Sequence, residues 1–469
     1  MSNPILFLPV SELAKKIQSR ELTSVELTKL FLDHSHELNP TLNAYISFRD
    51  EKALADAAKM DAEILAGNYR GLLHGIPMAI KDNIYVGNEV TTMASKYHEN
   101  FVSEDDASVV ENLKNAGVVL IGKLNMHEYA WGITNNSPHF GPVKNPWNLS
   151  KIPGGSSGGT GAAVSAGLTP VSLGTDTAGS IRIPSSACGI VGLKPTHGLV
   201  PKYGCFPLAW TLDHIGPMTK TVEDAAIVLQ AIAGFDSRDP VSKKIDTIDY
   251  LAGIDSPLAG RVIGIEEDYF FKDVDAPIEA MIRELLAKLE ANGAVVKKVK
   301  IPALRYSEYV ELATSLSEAS AIHYEQLKKD PNHYGEDIRM LFELGLLFDS
   351  VDYLQAQQLR SELKAEFTKV FEEIDVLIAP TLPSLPNDIG SDLVMINGKE
   401  EDVLNNTIRM TGPSNLTGLP ALSMPIGLVD GLPVGMQIIG DAFDEKTIFN
   451  IAKNIEKLVQ FEGVPPIIK

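Results

Sequence analysis

The chain has 469 residues, 44% hydrophobic and 22% charged, with 28 prolines, which excludes a disordered or fibrous protein and leaves a globular chain able to bury a large core. Its 61 acidic against 41 basic residues give a net charge of −20, which repels polyanions and argues against direct binding of nucleic acid. Two cysteines, Cys188 and Cys205, are too few for a disulfide framework, lack metal-site spacing, and point to reducing, cytoplasmic surroundings.

Residues 1–10 have no basic stretch and are broken by prolines, so no signal peptide is expected. Thr23 and Glu26 form a capping box ahead of apolar Leu27, Leu30 and Phe31, which predicts a helix. A second, alanine-rich helix is expected from about Ala53 to near Gly67, so residues 1–70 or so read as a helical part. The run Gly75-Ile76-Pro77-Met78-Ala79-Ile80 is strand-like and ends at Lys81. A helix over residues 107–116, stopped by Gly117, then precedes the buried strand Val118-Val119-Leu120-Ile121.

The alternation recurs. Thr221 and Asp224 cap a helix stopped by Gly234; another starts at Pro277, stops at Gly293 and leads into a strand over residues 294–301. Late strands are expected at residues 376–379, 421–426 and 434–439. Strands and helices alternating along the whole length predict an α/β fold, one large mixed sheet covered by helices on both faces. The loop-like stretches 236–256 and 380–401 read as insertions in a single domain of residues 1–469, whose central part spans about 71–235. Residues 152–175 carry no charge over membrane-span length, but their Gly, Ser, Thr, Pro153 and Pro170 fit a buried internal segment, and no membrane association is expected.

Two segments stand out chemically. In Pro153-Gly154-Gly155-Ser156-Ser157-Gly158-Gly159-Thr160-Gly161, five of nine residues are glycine, and the run leads into a small-residue helix expected over residues 162–167. Ordering the glycines costs entropy, so close backbone approach or unusual dihedrals are required there. A phosphate loop would need the lysine of G-x-x-x-x-G-K-[ST], which is missing. A nucleophile elbow matches formally, as Gly154-x-Ser156-x-Gly158, but the preceding residues 145–153 are not a strand. A tight loop packing a helix on a sheet is the plain structural alternative. The second segment is Gly174-Thr175-Asp176-Thr177-Ala178-Gly179-Ser180-Ile181-Arg182: small residues around a serine, with consecutive amides free to converge, are what an oxyanion hole requires. Asp176 and Arg182 read first as an ion pair bracing this loop. Lys81, taken alone, reads as a solvated surface residue or, if buried, as a base with a lowered pKa.

Together, the run from Gly75 through Lys81-Asp82-Asn83, the Gly/Ser stretch, residues 174–182 and Gly189-Ile190-Val191-Gly192-Leu193-Lys194-Pro195-Thr196 resemble the amidase signature family. The resemblance extends nearly end to end, through Leu212-Asp213-His214-Ile215-Gly216-Pro217, Ala379-Pro380-Thr381 and Asn415-Leu416-Thr417-Gly418-Leu419-Pro420. It implies the amidase signature fold and a hydrolase of carboxylic amides (EC 3.5.1.-, in particular 3.5.1.4) working through an acyl-enzyme. Ser180 would be the nucleophile, Ser156 the bridging serine in a cis peptide and Lys81 the neutral base. The oxyanion amides would fall on Thr177, Ala178, Gly179 and Ser180. Ala178 departs from the family's usual glycine; its N–H survives as a donor if its φ is negative. A histidine triad from Ser180 through His214, His323 or His333 remains formally open. No metal or other cofactor is called for.

The same resemblance covers the glutaminase subunit of tRNA-dependent amidotransferases. Arg360 is similar to the arginine such subunits use for a substrate carboxylate, but residues 405–413 contain no acid to take the amino group. Pro207-Leu208-Ala209-Trp210 looks more like stand-alone amidases, and a free-standing hydrolase is the preferred reading, with a homodimer as one candidate assembly. Carbamates and esters are alternative substrates on the same triad. Trp131 is read either as an apolar wall for a small-molecule amide or as ordinary core.

Overall fold

The computed structural model describes residues 3–246 and 248–468. Its centre is an 11-stranded mixed sheet. In chain order the strands are β1 (Tyr45–Phe48), β2 (Pro77–Lys81), β3 (Val119–Leu124), β4 (Val171–Asp176), β5 (Val191–Lys194), β6 (His214–Thr219), β7 (Val262–Glu266), β8 (Val295–Val299), β9 (Val376–Pro380), β10 (Ala421–Val429) and β11 (Leu432–Gly440). They lie side by side as β1-β3-β2-β4-β6-β5-β10-β11-β9-β7-β8. The predicted α/β architecture is therefore the one observed, and one sheet draws strands from nearly the whole chain.

The central strands are buried at every residue in β2, β3, β4 and β6, as expected where helices cover both faces of a sheet. The predicted capping box is present: Thr23 Oγ1 accepts from the Glu26 N–H at 3.1 Å while Glu26 accepts in return from the Thr23 N–H at 2.8 Å. It starts a helix over Ser24–Leu42 whose Leu27 and Phe31 are fully buried, each worth about 1.5–3 kcal/mol of burial.

β2 runs parallel to both β3 and β4, whereas β4 is antiparallel to β6. The carboxyl ends of β2 and β4 therefore open on the same edge, the place where side chains at strand ends converge on ligands in open α/β sheets. Between them in sequence runs the helix Gly158–Ser165, buried at every residue. A Cβ on Gly159 would overlap the carbonyl oxygens of Asn125 and Ala44. This close approach accounts for the glycines. The helix therefore begins within the glycine run, ahead of the expected span of residues 162–167.

Two further differences concern the second half. The stretch 380–401, expected to be loop, carries the hairpin of Leu393–Ile396 with Lys399–Asp402 but for its last residue. Five helices, Ser307–Lys329, Glu336–Gly345, Ser350–Phe371, Val403–Thr417 and Glu445–Val459, go beyond the elements expected from sequence. The first four bear on the site described next. No helix among the described residues is long and apolar enough to cross a membrane.

Candidate active site

Lys81 ends β2 and is fully buried. Its Nζ donates to Ser156 Oγ at 2.7 Å and to Thr175 Oγ1 at 2.7 Å, and among the described residues it forms no ion pair. Asn83 Nδ2 also donates to Thr175 Oγ1, at 3.2 Å. Burial removes water from the ammonium and pulls its pKa down to about 7, outweighing the more distant charges of Cys205, Asp176 and Asp213. The surface reading of Lys81 is excluded. Thr175 is a partner that sequence reasoning missed; its only signal was its place near the start of the small-residue segment.

Ser156 is fully buried, and the Gly155–Ser156 peptide is cis. Its carbonyl accepts from the His127 N–H at 3.0 Å. The next residue joins the two conspicuous segments: the Ser157 N–H donates to the Ser180 carbonyl at 3.3 Å, and Ser157 Oγ donates to the Thr175 carbonyl at 3.1 Å. Lys81, Ser156 and the Ser180 loop thus converge from three places in the chain.

Ser180 lies in the turn between β4 and the helix Arg182–Cys188, so the strand–turn–helix setting absent before Ser156 is found here. It lines a cleft with Trp131, Ile133, Leu208 and Ile408. The loop before it is held from below. The Asp176 carboxylate accepts from Gly179 N–H at 2.8 Å and Ile181 N–H at 3.1 Å, from Arg182 Nε at 3.1 Å and Nη2 at 3.0 Å, and from Asn415 Nδ2 at 2.8 Å. Burial alone would raise its pKa, but Arg182 overrides it and holds the carboxyl at about 2. Arg182 also donates to the Thr411 carbonyl, Ser414 Oγ, Gln437 Oε1 and Asn415 Oδ1. The bracing ion pair is observed.

One expected oxyanion donor needs correction. The Gly179 N–H is committed to Asp176, so it is not free to meet a substrate. Thr177 and Ala178 keep backbone N–H groups without an acceptor among the described residues, and Ala178 keeps a negative φ. Gly179 has φ +134°, and a Cβ there would overlap Thr411 Oγ1; glycine is required at this one position of the loop.

Trp131 is buried, forms a wall of the Ser180 cleft and meets Phe342 edge-on at 5.7 Å. Arg360 does not line that cleft. Its guanidinium donates to the Leu416 carbonyl at 2.6 Å, the Thr211 carbonyl at 2.9 Å and Thr211 Oγ1 at 2.9 Å, and it borders a separate depression with His197 and Lys364. Its expected role in substrate binding is corrected to one of tying the helix Ser350–Phe371 to the helix Val403–Thr417 and to the loop at Thr211. The histidines are engaged elsewhere: His214 packs against Lys194 and the Leu212 carbonyl, and His323 against Tyr334.

The Amidase family model matches residues 26–449. The chain belongs to the Amidase family. It is similar to a protein of Marinomonas sp. (strain MWYL1) described as a subunit of Glutamyl-tRNA(Gln) amidotransferase, at 38% identity over 96% of each chain. Among solved structures it resembles native peptide amidase from Stenotrophomonas maltophilia, at 30% identity and a TM-score of 0.85, covering 98% of this chain and 99% of the other. It also resembles a chain from a vestigial protein complex bearing on the origins of an s-triazine catabolic enzyme, at 30% identity and a TM-score of 0.93, covering 98% and 100%.

Proposed function

We propose that the protein hydrolyses carboxylic amides through Ser180, with Ser156 as relay and Lys81 as base. The observation that carries this reading is the buried Lys81, with a pKa near 7, bonded to Ser156 Oγ at 2.7 Å. Neutral Lys81 takes a proton from Ser156 as Ser156 takes one from Ser180, whose oxygen attacks the amide carbonyl. The N–H groups of Thr177, Ala178 and Ser180 stabilise the charge developing on that carbonyl oxygen. The relay then runs backwards, delivering the proton to the departing nitrogen, and water cleaves the acyl-enzyme by the same route. The apolar cleft with Trp131 would take the acyl portion of a small amide. Two free cysteines support placing this chemistry in the cytoplasm.

A fluorophosphonate should label Ser180, and Ser180→Ala should lower hydrolysis of an aryl amide by on the order of 10⁴-fold or more. Activity persisting in that variant would remove Ser180 from the mechanism.

The second reading, a glutaminase component of an amidotransferase, is favoured by the 38% identity to the Marinomonas amidotransferase chain along nearly all of both sequences. Against it stands Arg360, whose guanidinium is bonded to its own protein's carbonyls. The free-standing hydrolase is preferred.

A further inference from the structure

Among the described residues, one ionisable side chain lines the mainly apolar Ser180 cleft. Glu311 sits there beside Leu312 and Leu316, on the helix Ser307–Lys329. It is 3% exposed. Ser315 Oγ, whose hydroxyl donates to the Glu311 carbonyl, lies 3.1 Å from Oε1, whereas Oε2 is buried with no hydrogen-bond partner among the described residues. Burying such an oxygen unpaired is costly, and native structures leave few of them.

The geometry ties this oxygen to the nucleophile loop. Glu311 Oε2 lies 3.3 Å from where a Cβ on Gly412 would stand. The preceding residue, Thr411, donates through Oγ1 to the Ala178 carbonyl. Two guanidinium groups reach Glu311 by charge, Arg360 and Arg182. Both are committed, Arg360 to Thr211 and Leu416 and Arg182 to Asp176 and Asn415. With no cation among the described residues in contact, the carboxyl is pushed up to about 8 by burial. A cation or N–H donor brought by a ligand would satisfy this oxygen.

We propose that Glu311 is a specificity residue whose free carboxyl oxygen binds an amine on the acyl portion of the substrate, so that the preferred amides are those of amino-bearing carboxylic acids. The inference deepens the amide hydrolase reading and rests on it. A neutral amine entering the cleft would take the Glu311 carboxyl proton, giving an ammonium–carboxylate pair inside walls that exclude water, while Trp131 and Leu316 pack the acyl chain. A methyl group in the amine's place would leave the carboxyl as unsatisfied as it is in the empty cleft.

The test uses 4-nitroanilides in matched pairs, alanyl with isobutyryl, β-alanyl with butyryl and γ-aminobutyryl with valeryl, each pair differing by an amine in place of a methyl. We expect at least one chain length at which kcat/KM favours the amine by about 10- to 100-fold, the range for a hydrogen bond to a charged group. Glu311→Leu should erase that ratio and Glu311→Gln should reduce it at least about tenfold. A ratio within one variant is independent of how much of it folds, and the Gln variant, nearly isosteric, serves if the Leu variant is not recovered. A wild-type preference for the methyl partner at all three lengths, or a ratio unchanged by both substitutions, overturns the inference. Calorimetric titration of Ser180→Ala protein with the same pairs reads the contact without turnover. Amine-selective binding with no hydrolysis by the wild type would sink the hydrolase reading alone; equal binding of both partners would sink the role of Glu311.

Discussion

At the scale of single residues, Lys81 is held where water cannot reach it, with two hydroxyl oxygens as its hydrogen-bond partners and no carboxylate in contact. Such a setting disfavours the ammonium, and burial brings the pKa to about 7. The sign for activity follows. Below pH 7 Lys81 is cationic and cannot accept the proton of Ser156; above it the amine is free. We expect kcat/KM for an aryl amide to rise by about tenfold per pH unit up to roughly pH 7 and then level off. Lys81→Met should lower the plateau by about 10²–10⁴-fold and remove this limb of the profile. A wild-type profile flat from pH 5 to 9 would exclude Lys81 as the titrating base. Legibility at this scale is uneven. Ser180 and Ser156 announce themselves through the small residues around them, because tight turns and close packing impose glycine and alanine locally. Lys81 carries no local mark, since nothing adjacent in sequence reports whether a lysine is buried. Glu311 carries none either: it is one glutamate in a long helix, and its isolation in the cleft arises from residues far from it in the chain.

At the scale of elements, the Asp176–Arg182 pair fastens four of them, one being β11 through Gln437. It joins the end of β4 to the helix Arg182–Cys188 and, through Asn415, Ser414 and the Thr411 carbonyl, to the helix Val403–Thr417. The carboxylate also fixes the Gly179 and Ile181 amides, and so sets the path of the chain through Ser180. Asp176→Asn leaves a fully buried guanidinium without its counter-charge, which costs about 3–5 kcal/mol. The expected outcome is a loss of that size in denaturant unfolding, with a lower kcat because the Ser180 loop loses its anchors. Unchanged stability would show that the pair is replaceable by neutral hydrogen bonds. The sequence makes the pair visible, since the two residues are close in the chain and opposite in charge. It leaves Asn415 and Ser414 out, because their contacts with Arg182 span 233 and 232 residues. The glycines of the helix Gly158–Ser165 show the reverse case. In sequence they read as loop because glycine is a poor helix former, yet Gly159 is helical because a side chain there would strike the carbonyls of Asn125 and Ala44.

At the scale of the whole molecule, one sheet and its connecting turns carry every catalytic candidate, and the site requires no residue from outside the chain for its Lys81–Ser156 contact. The purified single chain should therefore turn over aryl or aliphatic amides unaided, and should not release ammonia from glutamine at a comparable rate; kcat/KM for both, measured on the chain alone, decides this. Glutamine turnover that requires an added partner protein, with no activity on other amides, would favour the amidotransferase reading. The sequence by itself determined the α/β alternation, the capping box at Thr23, the small-residue settings of Ser156 and Ser180 and the pairing of Asp176 with Arg182, since each is written in periodicity, composition or short spacing. Tertiary structure alone decided that Lys81 is buried against Ser156 and Thr175, that Arg360 is bound to backbone carbonyls away from the Ser180 cleft, that the Gly179 amide belongs to Asp176, and that Glu311 faces the Ser180 cleft. The reason is the same in each case: desolvation and hydrogen-bond partnership depend on what packs around a side chain, and in this fold those neighbours come largely from strands and helices far away in the chain.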